Sequence, residues 1–131
     1  MKLLLDTHVW IWAARNDGRL RTAVAGAISN PDSQLFLSPV SIWEAGLLFD
    51  RGIFETYLSR GRWLSFLSGQ VDLQEAPVTF EIAREMAMLD WSHKDPADRF
   101  LVATARVLGL VLVTADERII DSRLVPMIDA R

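Results

Sequence analysis

Apolar residues fall along this chain in short unbroken runs, separated by longer segments in which they recur at helical spacing. Lys2 to Leu5 and Gln34 to Leu37 are two of the short runs, and Leu110 to Val113 is a third, continuously apolar in the manner of a strand buried on both faces. Between them, Thr7 to Arg15 is apolar on most sides, as a buried helix is, and Leu20 to Ile28 carries a second helical pattern. Asn16-Asp17-Gly18 and Asn30-Pro31-Asp32 end these two segments. Ser38-Pro39 opens a third helix, with Ser suited to the cap and Pro to the first helical position, and Gly52 lies just past its end. The spacing predicts further helices around Arg62 to Leu67, over Thr79 to Leu89 and over Pro96 to Leu108, the last closed by Gly109. Val71 to Val78 alternates loosely and contains Pro77, as an outer strand does, and Val125 to Ile128 supplies a short last strand. Strands alternating with helices predict an α/β domain with a mainly parallel sheet. In such sheets, sites form outside the carboxyl ends of the strands, so acids placed just after strands matter most.

Composition narrows the class of function. The 131 residues are expected to form a single domain, 1–131, with a core large enough to need no disulfide or structural metal. There is no Cys, which removes thiol catalysis and Cys-ligated zinc and fits a reducing, cytoplasmic compartment. The opening MKLLLDTHVWIWAA starts like a secretory signal, but Asp6-Thr7-His8 interrupts the apolar run after Leu5, so export is not expected. No stretch escapes a charge for the roughly 20 residues that a membrane span requires. The formal net charge of −3 predicts no broad basic face for nucleic acid. A polyanion would have to be held locally, by a few basic side chains or by bound cations.

Four acids stand where the predicted fold puts its chemistry. Taken singly, each has a plain structural role: Asp6 caps the helix that begins near Thr7, and Glu44 closes a capping box with Ser41. Asp98 favours the dipole of the helix that Asp95-Pro96 opens, and Asp116 occupies a turn two residues after a strand that ends at Thr114. Taken together, they can converge on one edge of the sheet. Carboxylates gathered in one pocket raise each other's pKa unless a cation neutralises them. With oxygen donors alone on offer and no pair of His at ligand spacing, the hard ions Mg²⁺ or Mn²⁺ are favoured over zinc. One or two such ions, accepting phosphate oxygens and activating water, describe a phosphodiester hydrolase, and they remove the objection raised by net charge.

The segments LLLDTHVWIWA, SIWEAGLLFDRG, HKDPADRFLVATA and LVLVTADERI resemble, in order and spacing, the PIN-domain ribonucleases of the VapC toxin type, over Met1 to about Ile128. The resemblance implies a PIN-like three-layer sandwich: a parallel sheet of four or five strands flanked by helices. It places the catalytic, metal-binding acids on Asp6, Glu44, Asp98 and Asp116, with Thr7, Thr114 and Asp95 in support. It also implies Mg²⁺- or Mn²⁺-dependent cleavage of RNA leaving a 3′-hydroxyl and a 5′-phosphate, a toxin blocked by a VapB-type antitoxin, and a homodimer. Two positions depart from the family pattern. Leu48 stands one helical turn after Glu44, where members often carry Lys, with Arg51 a turn further on as a substitute. Asp95 matches the family's Asp-Pro pair and is assigned to the helix cap, with Asp98 as ligand, although the two assignments can be exchanged.

The remaining polar residues carry weaker signals. His8 reads as a general base or, more commonly for a His at the start of an apolar helix, as a hydrogen-bonded structural residue. His93, Lys94 and Arg99 are candidates for RNA-phosphate contacts against the plainer alternative of solvated surface. Trp10, Trp12 and Trp43 are core residues or the walls of a groove for an antitoxin helix. A silent PIN-like scaffold that binds RNA or a partner is the main competing reading, and a scaffold gains nothing from mutually repelling carboxylates. A phosphoacceptor receiver domain needs adjacent acids after its first strand and a late Lys, whereas Asp6 stands alone and no Lys follows Lys94. A housekeeping RNA-processing nuclease stays within the same fold.

Overall fold

The computed structural model describes residues 1–131. Five strands form one parallel sheet: β1 (Lys2–Leu5), β2 (Gln34–Leu37), β3 (Gln74–Glu75), β4 (Val111–Thr114) and β5 (Met127–Asp129), in the order β3-β2-β1-β4-β5. Seven helices connect and flank them: α1 (Thr7–Arg15), α2 (Thr22–Ser29), α3 (Pro39–Asp50), α4 (Arg60–Gly69), α5 (Phe80–Met88), α6 (Pro96–Leu108) and α7 (Glu117–Ser122). This is the three-layer α/β architecture with a parallel sheet that the resemblance implies. From β1 the chain first builds outward through β2 to β3, then returns to build β4 and β5 on the other side. The strand order therefore reverses between β1 and β4, and a site is expected in the crevice at their carboxyl ends.

The central strand explains the apolar opening. Leu3, Leu4 and Leu5 are all fully buried, because β1 has a strand on each side and helices on both faces. Leu3 and Leu5 face one cluster with Val9, Trp10, Trp63 and Leu67, whereas Leu4 faces the other with Ile82, Leu101, Leu112 and Ile119. These are the two interfaces of a three-layer sandwich, and the period-two alternation of the strand divides them.

Where the elements differ from expectation, the backbone gives the reason. The outer strand expected over Val71 to Val78 shrinks to Gln74–Glu75, paired with Phe36 and Leu37. Pairing stops there because β2 itself ends at Leu37, where the Ser38 cap turns the chain into α3, and because Pro77 brings no N–H. α7 was not expected; its six residues are too few to show a helical period. Leu48 is a core residue on the inner face of α3. A Lys there would bury its charge, so this chain has no place for the basic contact that the resemblance implies at that position, and Arg51 sits exposed at the end of the helix. No helix is long and apolar enough to cross a membrane.

Candidate metal centre

The crevice at the β1–β4 switch point is acidic. Asp6 leaves β1 with its N–H donating to the Val113 carbonyl of β4 at 3.0 Å, so the ends of the two central strands are tied at the residue that carries the first carboxylate. Asp6 is also the N-cap of α1, its Oδ1 accepting from the His8 N–H at 3.2 Å. Its other oxygen, Oδ2, accepts from the Thr114 hydroxyl at 2.6 Å. Thr114 Oγ1 in turn accepts from the Asp116 N–H at 3.1 Å, so one buried hydroxyl fixes both the first acid and the turn that carries the last. Asp116 caps α7, accepting from Arg118 N at 2.8 Å. Thr7 donates to Ser41 at 2.9 Å in the interior, which pins the start of α1 to α3 one turn before Glu44.

Asp6, Glu44, Asp95, Asp98 and Asp116 line one pocket of about 270 Å³, with His8, Trp12, Ala115 and Arg118 completing the wall. All four acids singled out in the sequence are thus brought together, and Asp95 joins them. A larger cleft of about 570 Å³ opens beside Asn16, Asn30 and Gln70, but Asp72 is its one titratable residue, so size and chemistry point to different places and chemistry decides.

The electrostatics record the crowding. Burial raises the Asp6 carboxyl above the usual carboxylate range, the Thr114 hydroxyl and His8 pull it back, and Asp116 adds to the rise. Burial likewise raises Glu44, opposed by the Thr7 hydroxyl and assisted by the charges of Asp6 and Asp95. Asp98 is pushed up to about 6, first by burial and then by Asp95, Asp6 and Asp116, against the lowering effect of a hydrogen bond from His93. Hard oxygen donors on several elements, with charges that destabilise one another, make a donor set that fits a divalent cation such as Mg²⁺ or Mn²⁺.

The structure divides Asp95 from Asp98. Asp95 is exposed and caps α6, its Oδ1 accepting from the Asp98 N–H at 3.3 Å, whereas Asp98 is buried against the pocket. His93 Nε2 lies 2.6 Å from Asp98 Oδ2. This pairing was not read from the sequence, where His93 is grouped with the phosphate contacts; a loop separates the two residues, and spacing alone does not close it. Arg99 also corrects the expectation of a phosphate contact. Its Nη1 donates to the carbonyls of Trp91 and His93 at 2.7 and 3.0 Å, and its Nη2 to those of Met86 and Leu89 at 3.2 Å each. The guanidinium is committed to the loop between α5 and α6, while Lys94 remains exposed. His8 is exposed on the pocket wall with its ring 6.0 Å from Trp12, and no hydrogen bond holds the ring, unlike the structural His expected. Of the three Trp considered, Trp10 is wholly core, Trp12 borders the pocket and Trp43 is 61% exposed.

Comparison with known proteins agrees with this architecture. The PIN domain model matches residues 3–123. Ribonuclease VapC22 of Mycobacterium tuberculosis is 32% identical over 118 residues, covering 89% of this chain and 88% of that protein. Among solved structures, VapBC2 from Rickettsia felis bound to a promoter DNA fragment superposes with a TM-score of 0.72 at 9% identity, covering 100% of both chains. VapC20 of M. tuberculosis, a toxin that cleaves the Sarcin-Ricin loop, superposes with a TM-score of 0.64 at 18% identity, covering 92% of this chain and 95% of that one. At those identities the two structures speak for the fold, while the domain match and the curated relative speak for descent: this chain belongs to the PIN-domain family.

Proposed function

We propose that this protein is a metal-dependent endoribonuclease, the toxin of a toxin–antitoxin pair, whose single domain 1–131 carries its site at the β1–β4 switch point. The observation that carries the reading is the convergence of Asp6, Glu44, Asp98 and Asp116 on one pocket, with Asp6 and Asp116 fixed by the same buried Thr114 hydroxyl. Those four carboxylates would hold Mg²⁺ or Mn²⁺, one ion or two. When bound, the cation supplies Lewis acidity for attack of water on the phosphodiester and charge stabilisation for the leaving oxygen.

The chain's own contribution is to bind and orient. Thr114 holds the Asp6 carboxylate in one rotamer, Thr7 and Ser41 lock the helix that presents Glu44, and Asp95 caps α6 so that Asp98 enters the pocket from its first turn. Arg118, on the pocket wall beside Asp116, and the exposed Lys94 are placed to meet RNA phosphates, the role that Arg99 does not fill. A VapB-type antitoxin is the natural partner, as in the VapBC complexes that share the fold. The exposed apolar side chains of Trp43, Ile53 and Tyr57 give such a segment something to cover. Cytoplasmic location and homodimerisation complete the reading.

The test is cleavage of labelled tRNA and mixed single-stranded RNA by antitoxin-free protein in Mg²⁺, in Mn²⁺ and in chelator, beside Asp6→Asn and Asp98→Asn. Cleavage that needs the ion and disappears in both variants is expected. Undiminished cleavage by either variant, or cleavage in chelator, overturns the assignment.

A further inference from the structure

Asp98 occupies the third position of α6, where an acid ordinarily folds back onto the N–H of the capping residue. Here no such bond forms. The carboxylate turns instead to His93, whose Nε2 donates to Oδ2 at 2.6 Å, and Oδ1 is left without a partner in the protein. The two side chains are each about one-eighth exposed, so the bond is sheltered from competing water.

His93 is itself held on two sides. Its ring packs against Trp91, with centroids 4.8 Å apart, and its carbonyl accepts from Arg99, which also grips the carbonyls of Trp91, Met86 and Leu89. Arg99 is the residue after Asp98 on the same helix. The first turn of α6 thus clamps the loop that carries His93, and His93 in turn fixes the carboxylate on that turn. An acid that must present one oxygen to a cation gains from a donor that occupies the other, because free rotation about its side-chain bonds would otherwise have to be frozen on binding.

We propose that His93 is the positioning residue of Asp98: its Nε2 holds Oδ2 and so fixes the orientation in which the carboxylate meets the ion, with Arg99 setting the place of His93. The inference rests on the metal-dependent reading of the pocket. It differs from the alternative in which His93, Asp95 and Asp98, whose donor atoms lie within 4.8 Å of one another, share a cation directly. Neighbouring ligand atoms on an octahedral Mg²⁺ at its usual bond length are separated by about 3.0 Å, and these hard ions favour oxygen over imidazole. The 2.6 Å between Nε2 and Oδ2 is instead the length of a hydrogen bond.

The experiment is Mn²⁺ binding to antitoxin-free protein, by calorimetry and by electron paramagnetic resonance, for the wild type, His93→Ala and His93→Gln, each with and without Asp98→Asn. Thermal unfolding in chelator is recorded for every variant, to separate lost folding from lost binding. His93→Ala is expected to weaken Mn²⁺ by about 10- to 100-fold. His93→Gln, which keeps a donor within reach, is expected to recover most of that loss, and neither change is expected to weaken binding further once Asp98 is Asn. The bound Mn²⁺ of the wild type is expected to show no imidazole-nitrogen coupling. Equal affinity in His93→Ala, a full further loss in the Asp98→Asn background, or a nitrogen coupling overturns the positioning role while leaving the metal site intact. No Mn²⁺ binding by the wild type overturns both readings together.

Discussion

At Asp6 the two carboxylate oxygens have separate duties: Oδ1 caps α1, and Oδ2 takes the buried Thr114 hydroxyl. Capping and chemistry are therefore not alternatives at this residue, since the bond that starts the helix also aims the acid. The cost appears in its proton affinity. Asp6, Glu44 and Asp98 all have raised carboxyls, and for Asp98 the value moves from 3.8 to about 6. A raised folded-state pKa means that the folded protein holds the proton more tightly than the unfolded chain does. The associated stability is fully present below the ordinary carboxylate pKa and is lost as pH rises through the folded value. Asp129, pulled down to about 2 by Arg131, acts in the opposite sense, but below pH 4. In chelator, the unfolding temperature is therefore expected to fall as pH rises from about 4 to 6, and saturating Mg²⁺ at pH 7 is expected to restore it. Calorimetric scans across that range, with and without the ion, make the measurement; a flat profile in chelator removes the claim that burial and crowding raise these acids.

At the scale of elements, Arg99 shows how a side chain on one helix holds together the region around it. Four carbonyls from Met86 to His93 converge on its guanidinium, closing the loop between α5 and α6. Arg99→Ala leaves the Leu89, Trp91 and His93 carbonyls without this donor, Met86 keeping the Leu89 N–H, and is expected to destabilise the fold by on the order of 3 kcal/mol. A surface phosphate contact would instead leave stability unchanged and weaken RNA alone, so denaturant unfolding of the variant distinguishes the two roles. This is also where the sequence stopped being readable. Strands such as Lys2–Leu5 and Val111–Thr114 announce themselves because burial on both faces demands an apolar run, and α3 and α6 do so because Ser38-Pro39 and Asp95-Pro96 are cap signals. β3 lies within the outer strand expected over Val71 to Val78, but its two exposed residues have their pairing decided by the end of β2, and nothing local marks its short length. The acids that line the pocket were legible because strand ends and helix starts are local features. The direction of Arg99, the turn of His93 toward Asp98 and the burial of Leu48 were not, since each depends on how a loop or helix face meets another element.

At the scale of the whole molecule, the difficulty is to bring a polyanion to an acidic protein. The chain carries a net charge of −3, and its pocket gathers Asp6, Glu44, Asp95, Asp98 and Asp116 against Arg118 and His8. Arg118 is already paired with Asp116 at 3.4 Å, so little uncompensated positive charge faces the crevice. An RNA phosphate approaching this pocket alone meets repulsion from five carboxylates, which at short range outweighs what one exposed guanidinium returns. A divalent ion reverses the local sign, and binding then draws on cation and protein together. On the proposed function, metal is then expected to be needed for holding RNA as well as for cutting it. With a non-cleavable single-stranded RNA analogue and wild-type protein, affinity in chelator is expected to be at least about tenfold weaker than in Ca²⁺ or Mg²⁺, a difference of about 1.4 kcal/mol. Because Arg118 is the one basic side chain apart from His8 on the pocket wall, the residual binding in chelator is expected to depend only weakly on monovalent salt. Fluorescence anisotropy titrations at two salt concentrations test both points. Equal affinity with and without the ion, combined with a steep salt dependence, would show that basic residues outside the pocket hold the RNA, and the cation would then be needed at the bond-breaking step alone.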